Sequence, residues 1–248
     1  MKENDEFRPW RLVWTPKHIA RFWNWWGSNP ALRKHYFSKR NGDSVLNQIN
    51  RHVHFSGTVV DLGSGPGYIV DLLIKRGVQT LAVDTSLDSL TILEQRLKGS
   101  AYFLGTKVSN VDSIPLEDEY ANGVLLIETV EHLTDDSLQR LLKEIYRIIK
   151  PGGWVAITTP NDEDLAELEI ICPDCGCVYH TYQHLRSWSK STLEPYLANI
   201  GFTCVVNKPT LFSSLPILFR PFHKFAYFVL GVKLPHLLYI GQKPIRKK

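Results

Sequence analysis

The stretch Thr58-Val59-Val60-Asp61-Leu62-Gly63-Ser64-Gly65-Pro66-Gly67-Tyr68 decides the fold. Its first half is a short apolar run rich in β-branched residues, which predicts a buried strand over 58–62. Its second half interleaves glycine with small residues and opens directly into an amphipathic segment over 68–75. A strand that turns over glycines into a helix presents backbone N–H groups and a helix N-terminus to a ligand. Two details set this loop apart from a dinucleotide fingerprint. The third glycine, Gly67, comes one position early, and an acidic residue, Asp61, closes the strand before the loop. The next predicted strand, 80–83, runs into Asp84, about 20 residues on, where a carboxylate can hold both hydroxyls of a ribose. Together these features disfavour NAD and fit an adenosine ligand.

Outward from this stretch, short apolar runs alternate with amphipathic segments from Gly57 onward, the pattern of βαβ units around a parallel sheet. The runs place strands at 58–62, 80–83, 101–104, 123–127, 155–159, 202–206 and 237–240, with helices at 68–75, 87–97, 136–149 and 190–200. The expected fold class is therefore α/β, a doubly wound, Rossmann-like, seven-stranded sheet. Residues 1–56 are rich in aromatic and basic side chains and read as an N-terminal helical cap, clearest over 16–26. Residues 57–248 then form the ligand-binding domain, with insertions at 162–188 and 209–235. Loops of that length inside one domain are commonly functional.

The ordered set of segments 59–68, 81–84, 112–116, 125–133 and Lys150-Pro151-Gly152-Gly153 resembles the class I S-adenosylmethionine-dependent methyltransferases over roughly residues 57–161. The resemblance implies S-adenosylmethionine as cofactor, held by Asp61, Gly63, Ser64, Gly65, Gly67, Tyr68, Asp84, Thr85, Asn110, Val111 and Glu128. Asn110 stands where that family usually has an acidic residue near the adenine, and Ala121-Asn122 replaces a usual Phe-Asp pair.

A second constellation follows the fourth expected strand. Glu128-Thr129-Val130-Glu131-His132 leaves that strand at the edge where open α/β sheets bind ligands. In a helical turn, positions 128, 131 and 132 share one face. Two carboxylates and an imidazole can bind a divalent cation or hold one another. With His184-Leu185-Arg186-Ser187-Trp188 farther on, the chain is similar to two O-methyltransferase groups, the ubiquinone-pathway catechol type and the small-RNA terminal 2′-O type. The second group implies Glu128, Glu131, His132 and His184 as ligands of Mg2+ or another divalent ion beside vicinal hydroxyls. Without a metal, His132 or His184 would act as general base, with Glu128 beside them.

Cys172-Pro173-Asp174-Cys175 with His180 has the spacing of a small zinc knuckle, with Cys177 and His184 as candidates for a fourth ligand. Only four cysteines occur, three of them in this one loop, which argues against a disulfide framework. The formal charge is a modest +4, and no acidic residue follows Glu194. The basic tail contains apolar runs too short for a bilayer span of roughly 20 residues. It is read either as packing against the cap or as peripheral membrane contact. Met1–Arg8 is charged and lacks the apolar stretch of a targeting signal, so a cytoplasmic location is expected. The expected activity is O-methylation of a hydroxylated acceptor: a small molecule such as a vicinal diol or catechol, a saccharide, or a lipid-linked compound. The alternatives are N- or C-methylation on the same fold and, from another class, a nucleic-acid-binding module with a vestigial cofactor fold. The mild charge and the complete cofactor loop disfavour nucleic acid.

Overall fold

The computed structural model describes residues 7–109, 113–213, 227 and 229–245. A two-residue strand β1 (Trp10–Arg11) precedes α1 (Pro16–Ser28), a 3-10 turn (Pro30–His35) and α2 (Phe37–Ile49). Then follow β2 (Thr58–Leu62), α3 (Tyr68–Lys75), β3 (Gln79–Asp84), α4 (Leu87–Leu97), β4 (Phe103–Val108), β5 (Ala121–Ile127), α5 (Asp135–Ile148) and β6 (Ile149–Pro160). The chain continues through β7 (Glu169–Ile171), β8 (Cys177–His180), α6 (Lys190–Ile200), β9 (Thr203–Thr210) and β10 (His236–Gln242). The large sheet has the order β4-β3-β2-β5-β6-β10-β9, parallel except for β10, which runs antiparallel to both neighbours.

Alternation along each strand distributes side chains between two helical layers. Val60 packs with α5 and α6, whose Leu138, Leu142, Ile145, Leu193 and Leu197 are buried, whereas Val59 packs with Val45, Leu46 and Ile49 of α2 and Ile69 and Leu73 of α3. The second helix of the expected cap is thus part of the main core, and the boundary placed at 56/57 crosses that core. Strand order reverses between β2 and β5, so the ligand crevice belongs at their C-terminal ends, at Gly63 and Glu128.

Helices expected at 68–75, 87–97 and 190–200 are found with those bounds. The sheet-edge strands differ from expectation. β4 runs over 103–108 rather than 101–104, because pairing with β3 continues past the apolar run through Thr106, Lys107 and Val108, with Gly105 at φ +99° beside an irregular register. β9 runs through Pro209, which an edge strand tolerates because no neighbour needs its missing N–H. The insertion after β6 is ordered: β7 and β8 form an antiparallel pair, and β1 adds in parallel to β8. The later insertion is described only in part, since 214–226 and 228 lie outside the described residues. The apolar runs expected at 211–219 and 225–232 fall largely there. Among the described residues no helix is long and apolar enough to cross a membrane.

Candidate active site

β2 delivers Asp61 to the crevice, and three glycines then carry the chain through left-handed conformations. At Gly63 (φ +80°) a Cβ would also lie 2.9 Å from Thr129 Oγ1, so only glycine lets this turn pass the β5 loop. The loop is pinned by Gly63 N–H donating to Val83 O at 2.8 Å and Gly65 N–H donating to Asp84 Oδ2 at 2.7 Å. Ser86 N–H donates to the other Asp84 oxygen at 2.8 Å. Asp61 is 2% exposed and its Oδ2 has no hydrogen-bond partner. Burial, reinforced by the nearby Asp84, pushes its carboxyl up to about 8. Burial also raises Asp84, against the lowering effect of the backbone donors Ser86, Gly65 and Thr85. Tyr68 opens α3 with its ring 6.0 Å from Tyr36, which encloses the loop from the cap side. Asn110 and Val111, expected near the adenine, lie outside the described residues.

Beyond β5 the expected helical face of Glu128, Glu131 and His132 is not formed. Glu128 remains on the strand path, its N–H donating to Thr158 O at 3.0 Å, and it takes φ +50°; the 3-10 turn begins only at Val130. Its carboxylate turns to His236 Nδ1, 3.5 Å away on β10, rather than to the other ligand candidates. The remaining three do converge: Glu131, His132 and His184 each place one ligand atom within 4.8 Å of the others. Glu131 is 1% exposed, accepts a hydrogen bond from Thr159 Oγ1 at 3.1 Å and leaves Oε1 unpartnered. Burial first, then Glu128, holds its carboxyl well above the usual range. His132 Nδ1 lies 3.4 Å from Gln183 O and its Nε2 3.8 Å from Glu131 Oε1. Burial, with His184 close by, lowers the His132 imidazole to about 3. It is therefore neutral at physiological pH.

The insertion brings His184 to this place. Gln183, fully buried, links three elements: its amide donates to His132 O at 2.9 Å, its Oε1 accepts from Trp23 Nε1 of α1 at 2.8 Å, and its backbone takes φ +63°. Trp23 also packs edge-on against His132, with centroids 4.7 Å apart. Arg186 fastens the far side by donating to Leu133 O at 2.5 Å and pairing with Asp135 at 2.8 Å.

His180 joins this group rather than the cysteine pair with which its spacing aligned it. Its Nδ1 accepts the N–H groups of Tyr182 and His184, both at 3.2 Å, its ring stacks on His184, and its Nε2 faces Glu163 at 3.7 Å. A neutral imidazole whose Nδ1 accepts two donors carries its proton on Nε2, leaving no lone pair for a metal. Among the described residues, no cluster of three ligand atoms includes a cysteine. Cys172 and Cys175 nevertheless form a tight turn, with Gly176 N–H donating to Cys172 O at 2.9 Å.

Glu163, Gln183, Trp23 and His236 were not singled out by sequence. Glu163 sits in an acidic run that reads as a loop, and Trp23 is one of several aromatics on α1. Only Gln183 carried a signal, as the immediate neighbour of His184 inside the same short stretch.

Residues 60–157 match the family model of a methyltransferase domain. The malonyl-[acyl-carrier protein] O-methyltransferase of Methylococcus capsulatus is 27% identical over 65% of this chain and 58% of its own. The ubiquinone biosynthesis O-methyltransferase of Chromobacterium violaceum is 28% identical over 47% of this chain and 50% of its own. The matches span between about a fifth and three fifths of the curated relatives' lengths. The 1,6-didemethyltoxoflavin-N1-methyltransferase of Burkholderia thailandensis, solved with S-adenosylhomocysteine, superposes with a TM-score of 0.67 at 16% identity, covering 94% of this chain and 92% of that one. Residues 60–157 thus match a methyltransferase domain, and the seven-stranded α/β fold around them is one that this chain shares with solved methyltransferases.

Proposed function

We propose that the chain transfers a methyl group from S-adenosylmethionine to a hydroxyl oxygen of a small acceptor, with Glu131, His132 and His184 as a divalent-cation site beside the methyl donor. The observation that carries this reading is the convergence of a buried, unpartnered carboxylate oxygen with two imidazoles at the ligand edge of the sheet. The cofactor loop fits its ligand. The orphaned Asp61 oxygen suits a cationic amino group, and Asp84, already accepting two backbone N–H groups, keeps lone pairs for ribose hydroxyls.

S-adenosylmethionine supplies a methyl already activated on a sulfonium, which leaves the protein to align an oxygen and make it nucleophilic. A cation held by Glu131, His132 and His184 would supply the positive charge that lowers a hydroxyl pKa. Two imidazoles with one carboxylate suit Mn2+, Co2+ or Zn2+ better than Mg2+, which prefers oxygen ligands and retains water. His132, with its pKa near 3, is suited to ligation and takes up a proton poorly. Glu128, with Oε1 unpartnered, is left to contact the bound cofactor. Trp23 and Gln183, joined by a hydrogen bond, wall the site on the cap side.

The two relatives named as O-methyltransferases favour oxygen as the accepting atom. A lipid-linked acceptor falls within this class, motivated by the basic tail and its apolar runs. Zinc at Cys172 and Cys175, with ligands other than His180, would order the insertion that carries His184. In support, the Cys172 thiol is lowered by N–H donors from Cys175 and Asp174.

The test is radiolabelled S-adenosylmethionine offered with catechols, aliphatic vicinal diols, hydroxylated isoprenoids, amines and carbon acids, with and without chelator. Label should enter a hydroxylated acceptor and cease to do so in chelator. Transfer confined to amines or carbon acids would overturn the oxygen assignment, and activity undiminished by chelator would overturn the metal.

A further inference from the structure

Glu163 lies outside the sequence motifs of the site, yet its carboxylate meets one of the ligand candidates, His184, at 2.5 Å. It follows Asp162, whose N–H donates to Trp188 O at 2.8 Å, where the start and end of the insertion meet. Its side chain is 15% exposed and that of His184 9%. Glu163 Oε2 lies 2.5 Å from His184 Nδ1, and Oε1 lies 3.7 Å from His180 Nε2. Both carboxylate oxygens are thus directed at the two stacked imidazoles. No other acidic side chain in the structure has its two oxygens spent on histidines in this way among the described ion pairs.

We infer that Glu163 is the positioning residue of the site, fixing the ring orientation and tautomer of His184 so that its Nε2 lone pair faces Glu131 and His132. An imidazole that donates Nδ1–H to a carboxylate keeps its lone pair on Nε2, and the carboxylate makes that nitrogen a better donor. The alternative tautomer would set the Nδ1 lone pair against a carboxylate oxygen at 2.5 Å, which is repulsive, and would put a proton on the nitrogen needed for ligation. His180 completes the bracket. With two backbone N–H groups on its Nδ1, it turns Nε2 toward the second Glu163 oxygen at 3.7 Å, an electrostatic contact beyond hydrogen-bond distance that favours the orientation in which Oε2 meets His184. The insertion therefore brings its histidine into the site together with the packing that orients it. This inference rests on the proposed cation site for its consequence, but the tautomer it requires can be read without any metal.

The experiment separates the two. In protein labelled with 15N in the histidine rings, with His184 assigned by comparison with His184→Ala, the wild type should show a protonated Nδ1 and an unprotonated Nε2. Glu163→Ala should lose that tautomer to a mixture, and Glu163→Gln, which keeps an accepting oxygen without the charge, should retain it. Co2+ titrated into the same proteins should bind the wild type, bind Glu163→Gln and Glu163→Ala some 10- to 100-fold more weakly, and bind the exposed control Glu167→Gln as the wild type does. Retained melting temperature and S-adenosylhomocysteine affinity would establish that each variant is folded. A wild type with its proton on Nε2, or a Glu163→Ala spectrum identical to wild type, would overturn the inference. Wild-type protein with the expected tautomer but no Co2+ affinity would support the positioning role and sink the cation site.

Discussion

Residues 58–86 and residues 161–189 deliver polar groups to the same edge of the sheet, but they are held there by different forces. The first segment is backbone-driven. Its glycines sit at positive φ, its N–H groups are spent on Val83 O and Asp84, and its walls are two parallel strands in full register. The second is held by side chains. Gln183 and Arg186 bind across elements, Glu163 reaches His184 across the insertion, and its small sheet borrows a strand from residues 10–11. A backbone-driven site is fixed by local residue type, whereas a side-chain-driven one depends on partners distant in sequence. Substitutions should therefore damage the two regions differently: the loop through fold and cofactor affinity, the insertion through chemistry with the fold intact.

The largest contrast is expected at His184. Its replacement by Ala should depress methyl transfer to the preferred hydroxylated acceptor by roughly 10²–10⁴-fold, with S-adenosylhomocysteine affinity changed less than twofold. Steady-state kinetics and calorimetry on one preparation check this, and a parallel loss of both quantities would erase the distinction between the regions.

Gly67→Ala tests the other side. Its φ is +78° and a Cβ would lie 2.2 Å from Leu93 Cδ1, so a left-handed alanine at about 1–2 kcal/mol adds to overpacking of about 1–3 kcal/mol. Denaturant unfolding should show a loss of about 2–5 kcal/mol, together with weakened cofactor binding. An unchanged midpoint would show that the loop is not rigid.

Asp61 sharpens the comparison through pH. Its carboxyl stands at about 8 in the fold against 3.8 as a model group, so the folded state holds a proton that the unfolded chain has lost. The associated stability is fully present below about pH 4 and is lost as pH rises through about 8. The ligand-free protein should become less stable over that window, and Asp61→Asn should flatten the slope. Binding of a cationic amino group favours the ionised carboxylate, so cofactor affinity should rise with pH up to about 8 in the wild type alone.

The smallest effect is expected at the cysteine turn. Cys172→Ser with Cys175→Ser lies outside the cofactor loop, so S-adenosylhomocysteine affinity should stay within twofold by calorimetry.

The same contrast explains how much of the molecule could be read from its residues. The β2–α3 stretch, the bounds of α3, α4 and α6, and the acidic strand end at Asp84 follow from periodicity and glycine placement, both local signals. Of the four ligand candidates the spacing suggests, Glu131, His132 and His184 lie together, whereas Glu128 lies beside His236. A helical face was assumed where a residue at φ +50° keeps to the strand path and turns toward His236 on β10, a partner 108 positions away. His180 was assigned to the cysteines by spacing. Its actual partners are the adjacent turn and Glu163, and the N–H donors that fix its tautomer have no signature in sequence. The strand contributed by Trp10 and Arg11 was hidden within a segment whose composition reads as helix.

Calorimetric titration of the wild-type chain with S-adenosylhomocysteine, and separately with NAD, tests the central claim most directly. Asp61, the three-glycine turn and Asp84 should give one site per chain for S-adenosylhomocysteine and no measurable heat with NAD. Absence of S-adenosylhomocysteine binding, or preference for NAD, would contradict the assignment of this loop and the methyl-transfer chemistry built on it.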